Sequence, residues 1–344
     1  REQYKKDEEV KEIINIALGL EGLRRQDGIH AAAVVISPDT ITKYLPVQQK
    51  GKDAELVTQF EMHTVEKLGL LKMDFLGLRN LSIIDRTLEL INDKNIDIDN
   101  VPLDDKKTFK LLAAGKMTGV FQLESRIAQA TSRSLKTKTF EDIVALVALI
   151  RPGPLGAGMH NEFTDRATGR NEIEYLHKDL EEILSETYGV ILYQEQVMQI
   201  AEKISGFELS EADELRKAMG KKIPKVMEKQ REKFNQGAVK NGYSEQFAIE
   251  LFDQIAYFAG YGFNKSHSVP YALLAYQTAY LKANYPAEYL AACLTAVKRD
   301  KDRTAIFLSE ARELGVNVST PDINESLEDF SVNNNEIVFG ISAI

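Results

Sequence analysis

The sequence of 344 residues predicts an α+β chain in which a short sheet-forming section precedes a much larger, mainly helical one. Three observations carry the prediction. Before residue 79 the apolar residues fall in runs of strand length, in AAAVVISP (31–38), Tyr44 to Val47, Leu56 to Phe60 and LLKMDF (70–75). After residue 79 they recur at intervals of three and four over segments long enough for helices. The change follows LGLLKMDFLGL (68–78), whose Gly69 and Gly77 permit close turns, and it sets a domain boundary near residue 79.

Taken in order, Glu2 to Leu20 reads as one charged amphipathic helix, with Val10, Ile13, Ile14, Ala17 and Leu18 at helical spacing. His30 leads into a near-continuous apolar run stopped by Pro38, the pattern of a buried strand. A histidine at a strand start is more often packed or hydrogen-bonded than catalytic, so His30 is not assigned as a ligand. Lys50 to Ala54 supplies the turn between the next two strands. In the strand from Leu70 to Phe75, period two places Leu71, Met73 and Phe75 on one face and Lys72 beside Asp74 on the other. That pair is either the solvated face of a half-buried strand or a lysine and carboxylate displayed together for chemistry.

Asn80 to Ile91 reads as a helix presenting Leu81, Ile84, Leu88 and Ile91, and Asp104 as the cap of a short helix ending at Ala113. Phe140 to Ile150 is apolar enough for a core helix, and it stops at RPGPLGAGM (151–159), whose prolines and glycines argue against any regular element. Leu180 to Ile204 holds two helical patterns separated by TYGVILYQEQ, where Gln194, Glu195 and Gln196 read as a solvated face. Ser210 is a candidate N-cap with Asp213 three residues on. Phe247 to Ala259 is a further helix, and a glycine-rich turn then enters a long one that Ser268 can cap, with Pro270 in its first turn. Glu288 to Val297 and Lys301 to Leu314 complete the helices, and Asp322 reads as a turn residue.

Composition narrows the chemistry. Hydrophobic residues at 44% and charged residues at 28% are ordinary for a globular protein, and no stretch of 18 apolar residues or leader pattern implies a membrane address. The single Cys293 excludes a disulfide framework and reads as a small buried hydrophobe. Zinc-ligand spacing, a Walker loop and a dinucleotide motif are all missing. A net charge of −9 argues against nonspecific attraction to nucleic acid, so contact with a polyanion requires local basic patches. One exists. Between Glu214 and Lys233 eight basic residues, among them Arg216, Lys217, Lys221, Lys222 and Lys225, face three acids. Asn264, Lys265, Ser266 and His267 form a second polar cluster, at a helix start favourable to anions. Arg151 suits either a helix C-terminus or a phosphate contact beside a rigid turn. Gln122, Glu124 and Ser125 suit a polar helix face, and Tyr271, Tyr276 and Tyr280 suit either core packing or base platforms.

LLKMDFLGLRNLSII resembles the strand that supplies the third metal-binding aspartate in bacterial C-family replicative DNA polymerases, the DNA polymerase III alpha subunits. Similar blocks follow in the family's order at IHAAAVVISP, TGVFQLES, RPGPLGAGM, ILYQEQVMQIA, LRKAMGKK, GYGFNKSHSVPYALLAYQTAYLKANYP and PDINES, so the resemblance covers nearly all of the chain. It implies a partial mixed palm sheet of nucleotidyltransferase type followed by a large, mainly helical fingers domain. The implied divisions are a helix returning from the thumb (1–23), the C-terminal part of the palm (24–78), the fingers (79–314) and a connection toward clamp-binding and helix-hairpin-helix modules (315–344). The family's paired aspartates in a PDxDxDF-like motif are not visible, which suggests an internal piece of a larger enzyme.

The resemblance implies a DNA-directed DNA polymerase that adds deoxynucleotides to a primer 3′-end during replication, at the bacterial fork in the cytoplasm. Two Mg²⁺ ions about 3.5 to 4 Å apart serve that reaction. Asp74 is then a metal ligand and Lys72 a catalytic neighbour that offsets negative charge. Arg216, Lys217, Lys221 and Lys222, with Asn264, Lys265, Ser266 and His267, are expected to hold the nucleotide, and Arg151, Gln122, Ser125 and Lys225 to meet DNA. Expected partners are primer-template DNA, deoxynucleoside triphosphates and, through the parent protein, the sliding clamp and replicase subunits, with no membrane. The sequence departs from the family at Ile29 and Ala33, where Thr and Gly are usual, at RIA after TGVFQLES, where a glycine-methionine pair is common, and at Lys217, where a second arginine is usual. Lysine keeps the charge there but loses the bidentate fork. With one catalytic carboxylate the isolated chain is expected to be inactive. The alternatives are a nucleic-acid-binding structural fragment and a helical protein-interaction scaffold.

Overall fold

The computed structural model describes residues 2–344 except Arg24, Lys50, Asp53, Lys94, Lys222, Ile223, Ala259 and Gly260, and except the side chains of Glu2, Lys221, Pro224 and Lys225. The chain divides into two compact units, Arg1–Leu78 and Arg79–Ile344. The α+β class holds, with short antiparallel strand pairs beside a large helical part.

The first unit runs α1 (Glu2–Lys6), α2 (Glu8–Leu20), β1 (Ala33–Ile36), β2 (Val47–Gln48), β3 (Val57–Thr58), α3 (Met62–Lys67) and β4 (Leu71–Asp74). The expected single N-terminal helix breaks at Asp7, which is extended and turns its carboxylate onto the amides of Glu9 and Val10. The strands form two separate antiparallel pairs, β1 with β4 and β2 with β3, rather than one mixed sheet. The register pairs Ala33 with Asp74, Val34 with Met73, Val35 with Lys72 and Ile36 with Leu71.

Side chains directly opposite in a ladder share a face, so Val34, Met73, Ile36 and Leu71 form one apolar face and Lys72 and Asp74 lie on the other. Contrary to the expectation of a buried β1, the apolar face is the open one: Val34 is 49% exposed and Leu71 57%. The reason is a small core on one side only. Leu45, Val65 and Leu70 pack with Val35, Ile41 and Val47, and nothing among the described residues of this unit buries the opposite face.

The second unit contains α4 (Arg79–Ile91), α5 (Lys106–Ala113), α6 (Arg126–Leu135), α7 (Phe140–Leu149), α8 (Pro152–Gly156), α9 (Met159–Ala167), α10 (Glu181–Leu184), α11 (Gln194–Ser205), α12 (Leu209–Lys221), α13 (Pro224–Lys240), α14 (Glu245–Phe258), α15 (Lys265–Asn284), α16 (Pro286–Val297) and α17 (Lys301–Glu313). It closes with the hairpin β5 (Ser331–Asn333) and β6 (Glu336–Val338), where Asn334 and Asn335 both adopt the left-handed conformation a two-residue turn requires. Three apolar clusters organise it. One joins α5, α6, α7, α9 and α15, a second α10 through α14, and a third α4, α15, α16, α17 and the hairpin. The 20-residue α15 borders two of them, and its Tyr276 is a core residue bonded to the Pro102 carbonyl.

Several local expectations change. Asp105, not Asp104, caps α5, its carboxylate accepting the Thr108 amide at 2.8 Å. Leu81 points outward, and α4 buries Ile83, Ile84 and Thr87. RPGPLGAGM does form helix: Pro152 opens the one-turn α8, where a missing N–H costs nothing, and left-handed Gly158 separates it from α9. Ser210 lies inside α12. Asn264 caps α15 through a 2.9 Å bond from the His267 amide, while Ser268 is fully buried and donates to the Val144 carbonyl on α7, and Pro270 sits beyond the first turn. Cys293 is buried, and desolvation pushes its thiol up to about 12. Asp322 is a turn residue, accepting the Asn324 amide.

Candidate functional site

In the first unit the chemistry gathers on the Lys72 face of the β1–β4 ladder. Lys72 Nζ donates to both Asp74 oxygens, at 2.6 and 2.8 Å, and this hydrogen bond holds the Asp74 carboxyl below its ordinary range. His30 stands at the start of the paired strand. Its Nδ1 accepts the Ala32 amide at 3.2 Å, which leaves the ring proton on Nε2, 4.0 Å from Asp74 Oδ1. His30 is thus a hydrogen-bonded histidine at the strand start, as expected, and the fold adds a place beside Asp74. Antiparallel pairing of Ala33 with Asp74 is the cause, and no single strand announces it. Lys72 and His30 line a cleft of about 740 Å³ whose other walls include Val35, Thr58, Phe60 and Phe75.

These residues by themselves do not fit a magnesium ion. Mg²⁺ takes near-octahedral oxygen ligation, and among the described residues no three His, Cys, Asp or Glu side chains converge. Asp74 contributes one carboxylate, and both of its oxygens are engaged by Lys72.

In the second unit the first turn of α11 is the junction. The residues before it pair with the glycine-rich turn that precedes α15: the Phe263 amide donates to the Leu192 carbonyl at 3.1 Å and the Gln194 amide to the Phe263 carbonyl at 2.9 Å. Gln194 Nε2 adds a bond to the Gly262 carbonyl, and its Oε1 lies 3.5 Å from a guanidinium nitrogen of Arg216 on α12. Glu195 accepts the Lys265 amide at 3.0 and 2.9 Å. It closes the N-terminus of α15 rather than solvating α11. Gln196 is buried, accepts the amides of Leu192 and Tyr193 and donates to Ile183 and Thr187. Gln194 and Glu195 read as a polar face in sequence because their partners lie about 70 residues away, whereas Gln196 bonds to the residues just before α11.

Around this junction the structure brings together Arg216, Lys217, Lys265 and Arg151. Asp213 holds Arg216 at 2.7 Å and Lys217 at 2.7 Å, one turn apart on α12, and Glu186 holds Lys265 at 2.6 Å. Arg151 stacks over the Phe263 ring, its guanidinium carbon 4.4 Å from the centroid. From Phe263 the rings continue to His267, then to Tyr271 at 4.2 Å and on to Phe121 at 5.4 Å. Gly153 is required nearby, since a Cβ there would stand 2.3 Å from the Tyr261 ring.

Gln122 is exposed beside Phe121 with a left-handed backbone, φ +61°. Ser125 caps α6 through the Ala128 amide, and Glu124 accepts Arg303 and the Gly119 amide, so neither is simply a solvated face. Further along the basic run Arg231 pairs with Asp253 and Lys233 with Glu211. Lys222 and the side chains of Lys221 and Lys225 lie outside the described residues. Ser266 and His267 are exposed in the first turn of α15.

Two family models match the chain: the bacterial DNA polymerase III alpha NTPase domain over residues 1–77 and the bacterial DNA polymerase III alpha subunit finger domain over residues 80–242. The gap between the matches falls where the two compact units divide. Among relatives, the DNA polymerase III subunit alpha of Escherichia coli is 49% identical over 356 residues, covering 100% of this chain and 31% of the relative. That of Vibrio cholerae is 49% identical with the same coverage, and that of Thermus aquaticus is 46% identical, covering 100% of this chain and 29% of the relative. The chain thus spans about three tenths of the length of the curated relatives it matches. With both family models and near-half identity running end to end, the chain belongs to the bacterial DNA polymerase III alpha-subunit family.

Proposed function

We propose that this chain is the C-terminal palm portion and the fingers of a DNA-directed DNA polymerase that extends a primer 3′-end with deoxynucleoside triphosphates. The observation that carries the reading is identity of 46–49% across the whole chain to proteins named DNA polymerase III subunit alpha. Lys72, which lines the cleft, and Asp74 support it as a preformed pair on one strand face. In this reading Asp74 supplies one oxygen ligand to a divalent-metal site, Mg²⁺ being the matching hard cation, and the remaining ligands come from outside these 344 residues. No reaction step is assigned to a metal held by this chain alone. Arg216, Lys217, Lys265 and His267, with Asn264 and Ser266 at the start of α15, bind the triphosphate; Lys221 and Lys222 continue the same basic block. Arg151, Gln122, Ser125 and Lys225 meet the template-primer. The sliding clamp and replicase subunits join through other parts of the intact enzyme, which works at the replication fork in the bacterial cytoplasm. Among the described residues no helix is long and apolar enough to cross a membrane.

Primer extension tests the reading. The intact polymerase extends a primed template with Mg²⁺, and its Asp74→Asn variant, nearly isosteric but without the anionic ligand, loses at least about 100-fold in rate while still folding and binding DNA. The 344-residue chain alone gives no templated synthesis. Robust synthesis by the pure chain, or near-normal extension by a folded Asp74→Asn enzyme, would remove the assignment.

A further inference from the structure

We propose that Asp213 and Glu186 occupy, in the nucleotide-free protein, the places that phosphate oxygens take at the α11–α12–α15 junction, so that a triphosphate binds by exchange against the chain's own carboxylates. The inference rests on the assignment of Arg216, Lys217 and Lys265 to triphosphate binding. Each Asp213 oxygen is committed. Oδ1 accepts Arg216 Nε at 2.8 Å and its neighbouring guanidinium nitrogen at 2.7 Å, and Oδ2 meets Lys217 Nζ at 2.7 Å. Glu186 meets Lys265 Nζ at 2.6 Å, and the amides that open α15 are already turned to Glu195. A carboxylate and a phosphate present the same acceptor geometry to a guanidinium or an ammonium, so these contacts are the ones an incoming phosphate needs.

The pairs are suited to exchange. Their side chains are partly exposed, 31% and 32% for Arg216 and Asp213 and 37% and 42% for Lys265 and Glu186, and ion pairs in that setting are weak and screened by salt. A triphosphate carries enough charge to replace both carboxylates at once. A single phosphate replaces one and leaves the other cation neutralised. Asp213 and Glu186 are therefore specificity-determining residues, which favour polyphosphates over monophosphates by making every cation cost a competitor. They sit on different elements, α12 and the turn before Tyr188, so each can be removed separately.

The test uses the intact polymerase to which the chain belongs, with apparent KM for a deoxynucleoside triphosphate and inhibition by inorganic tripolyphosphate and inorganic phosphate. Asp213→Asn is expected to lower KM about three- to tenfold and Glu186→Gln about two- to fivefold, the range that loss of one or two exposed ion pairs allows. Both are expected to raise sensitivity to inorganic phosphate more than to tripolyphosphate. An unchanged or raised KM in both variants, with Arg216→Ala still raising it, overturns the exchange and leaves the site assignment standing. If Arg216→Ala and Lys217→Ala both leave KM unchanged, the assignment itself falls, and the inference with it.

Discussion

Replacing Lys282 isolates the most deeply buried charge among the described residues. Lys282 sits on α15 with a fully covered side chain, and its ammonium donates to the carbonyls of Lys116 and Thr118, at 2.9 and 2.7 Å, and to Glu310 on α17 at 2.6 Å. Burial pushes its pKa down, and the Glu310 carboxylate opposes the shift. Lys282→Met keeps most of the volume and removes the head group. It leaves the Glu310 side chain, 9% exposed, without its counter-charge, and two carbonyls without a donor. Breaking a buried pair from one side costs about 3–5 kcal/mol, because the orphaned charge stays in a poor solvent for it. In the double variant Lys282→Met with Glu310→Leu no charge is stranded, and the residual cost is that of two unmade hydrogen bonds, about 1–3 kcal/mol. Denaturant unfolding of the single and double variants, followed by circular dichroism, separates the two terms, and the double variant should regain about 2 kcal/mol over the single. For a unit of this size the single substitution corresponds to a fall in melting temperature on the order of 10 °C. A loss below about 1 kcal/mol in Lys282→Met, or a double variant less stable than the single, would refute the account.

Two further outcomes follow from the second unit. A Cβ at Gly237 on α13 would stand 2.2 Å from the Ser205 carbonyl oxygen, a backbone atom at the end of α11 that cannot swing aside, so Gly237→Ala should destabilise by about 1–3 kcal/mol in the same unfolding assay despite its better helix propensity. The Tyr243 hydroxyl donates to Asp179 at 2.7 Å, and desolvation together with that bond pushes the phenol up to about 12. The Asp179 carboxyl is held below its usual value chiefly by the same bond. For the raised phenol, stability is fully present below the unfolded tyrosine value of 10 and is lost as pH rises through about 12. For the lowered carboxyl it is present above the unfolded value of 3.8 and is lost as pH falls through the folded one. Burial raises other phenols too, among them Tyr188, Tyr193 and Tyr289, so the check is a difference ultraviolet titration: Tyr243→Phe should remove one phenol that ionises near 12, and removal of one that ionises near 10 would contradict the bond.

Periodicity found most helices because a helix is encoded by residues three and four apart in the chain. Phe140 to Leu149, Pro286 to Val297 and Lys301 to Glu313 form within a few residues of their predicted limits. The family blocks were equally legible, since a run such as LLKMDFLGLRNLSII is read without knowing what it touches. Cap positions were less so. Asp104 and Asp105 differ by one residue, and Ser268 has the right chemistry for a cap but lies where α15 crosses α7 and its hydroxyl is bonded to Val144. Solvent exposure of β1 and β4 was not legible either, because an apolar strand looks the same whether or not a second layer covers it.

What the sequence by itself determined is the class, the helical order and the identity of the cationic residues, all properties of neighbours along the chain. Arg216 and Lys217 meet Asp213 within one turn of α12, but only the tertiary structure decided the partners of polar groups that reach beyond their own element. His30 reaches Asp74 through strand pairing, Glu195 reaches the amides of α15 across 70 residues, and Lys282 reaches Glu310 across 28. Side-chain ion pairs and caps form wherever two oppositely polar groups come within a few ångströms, and packing sets that distance between segments whose separation in sequence carries no information about it.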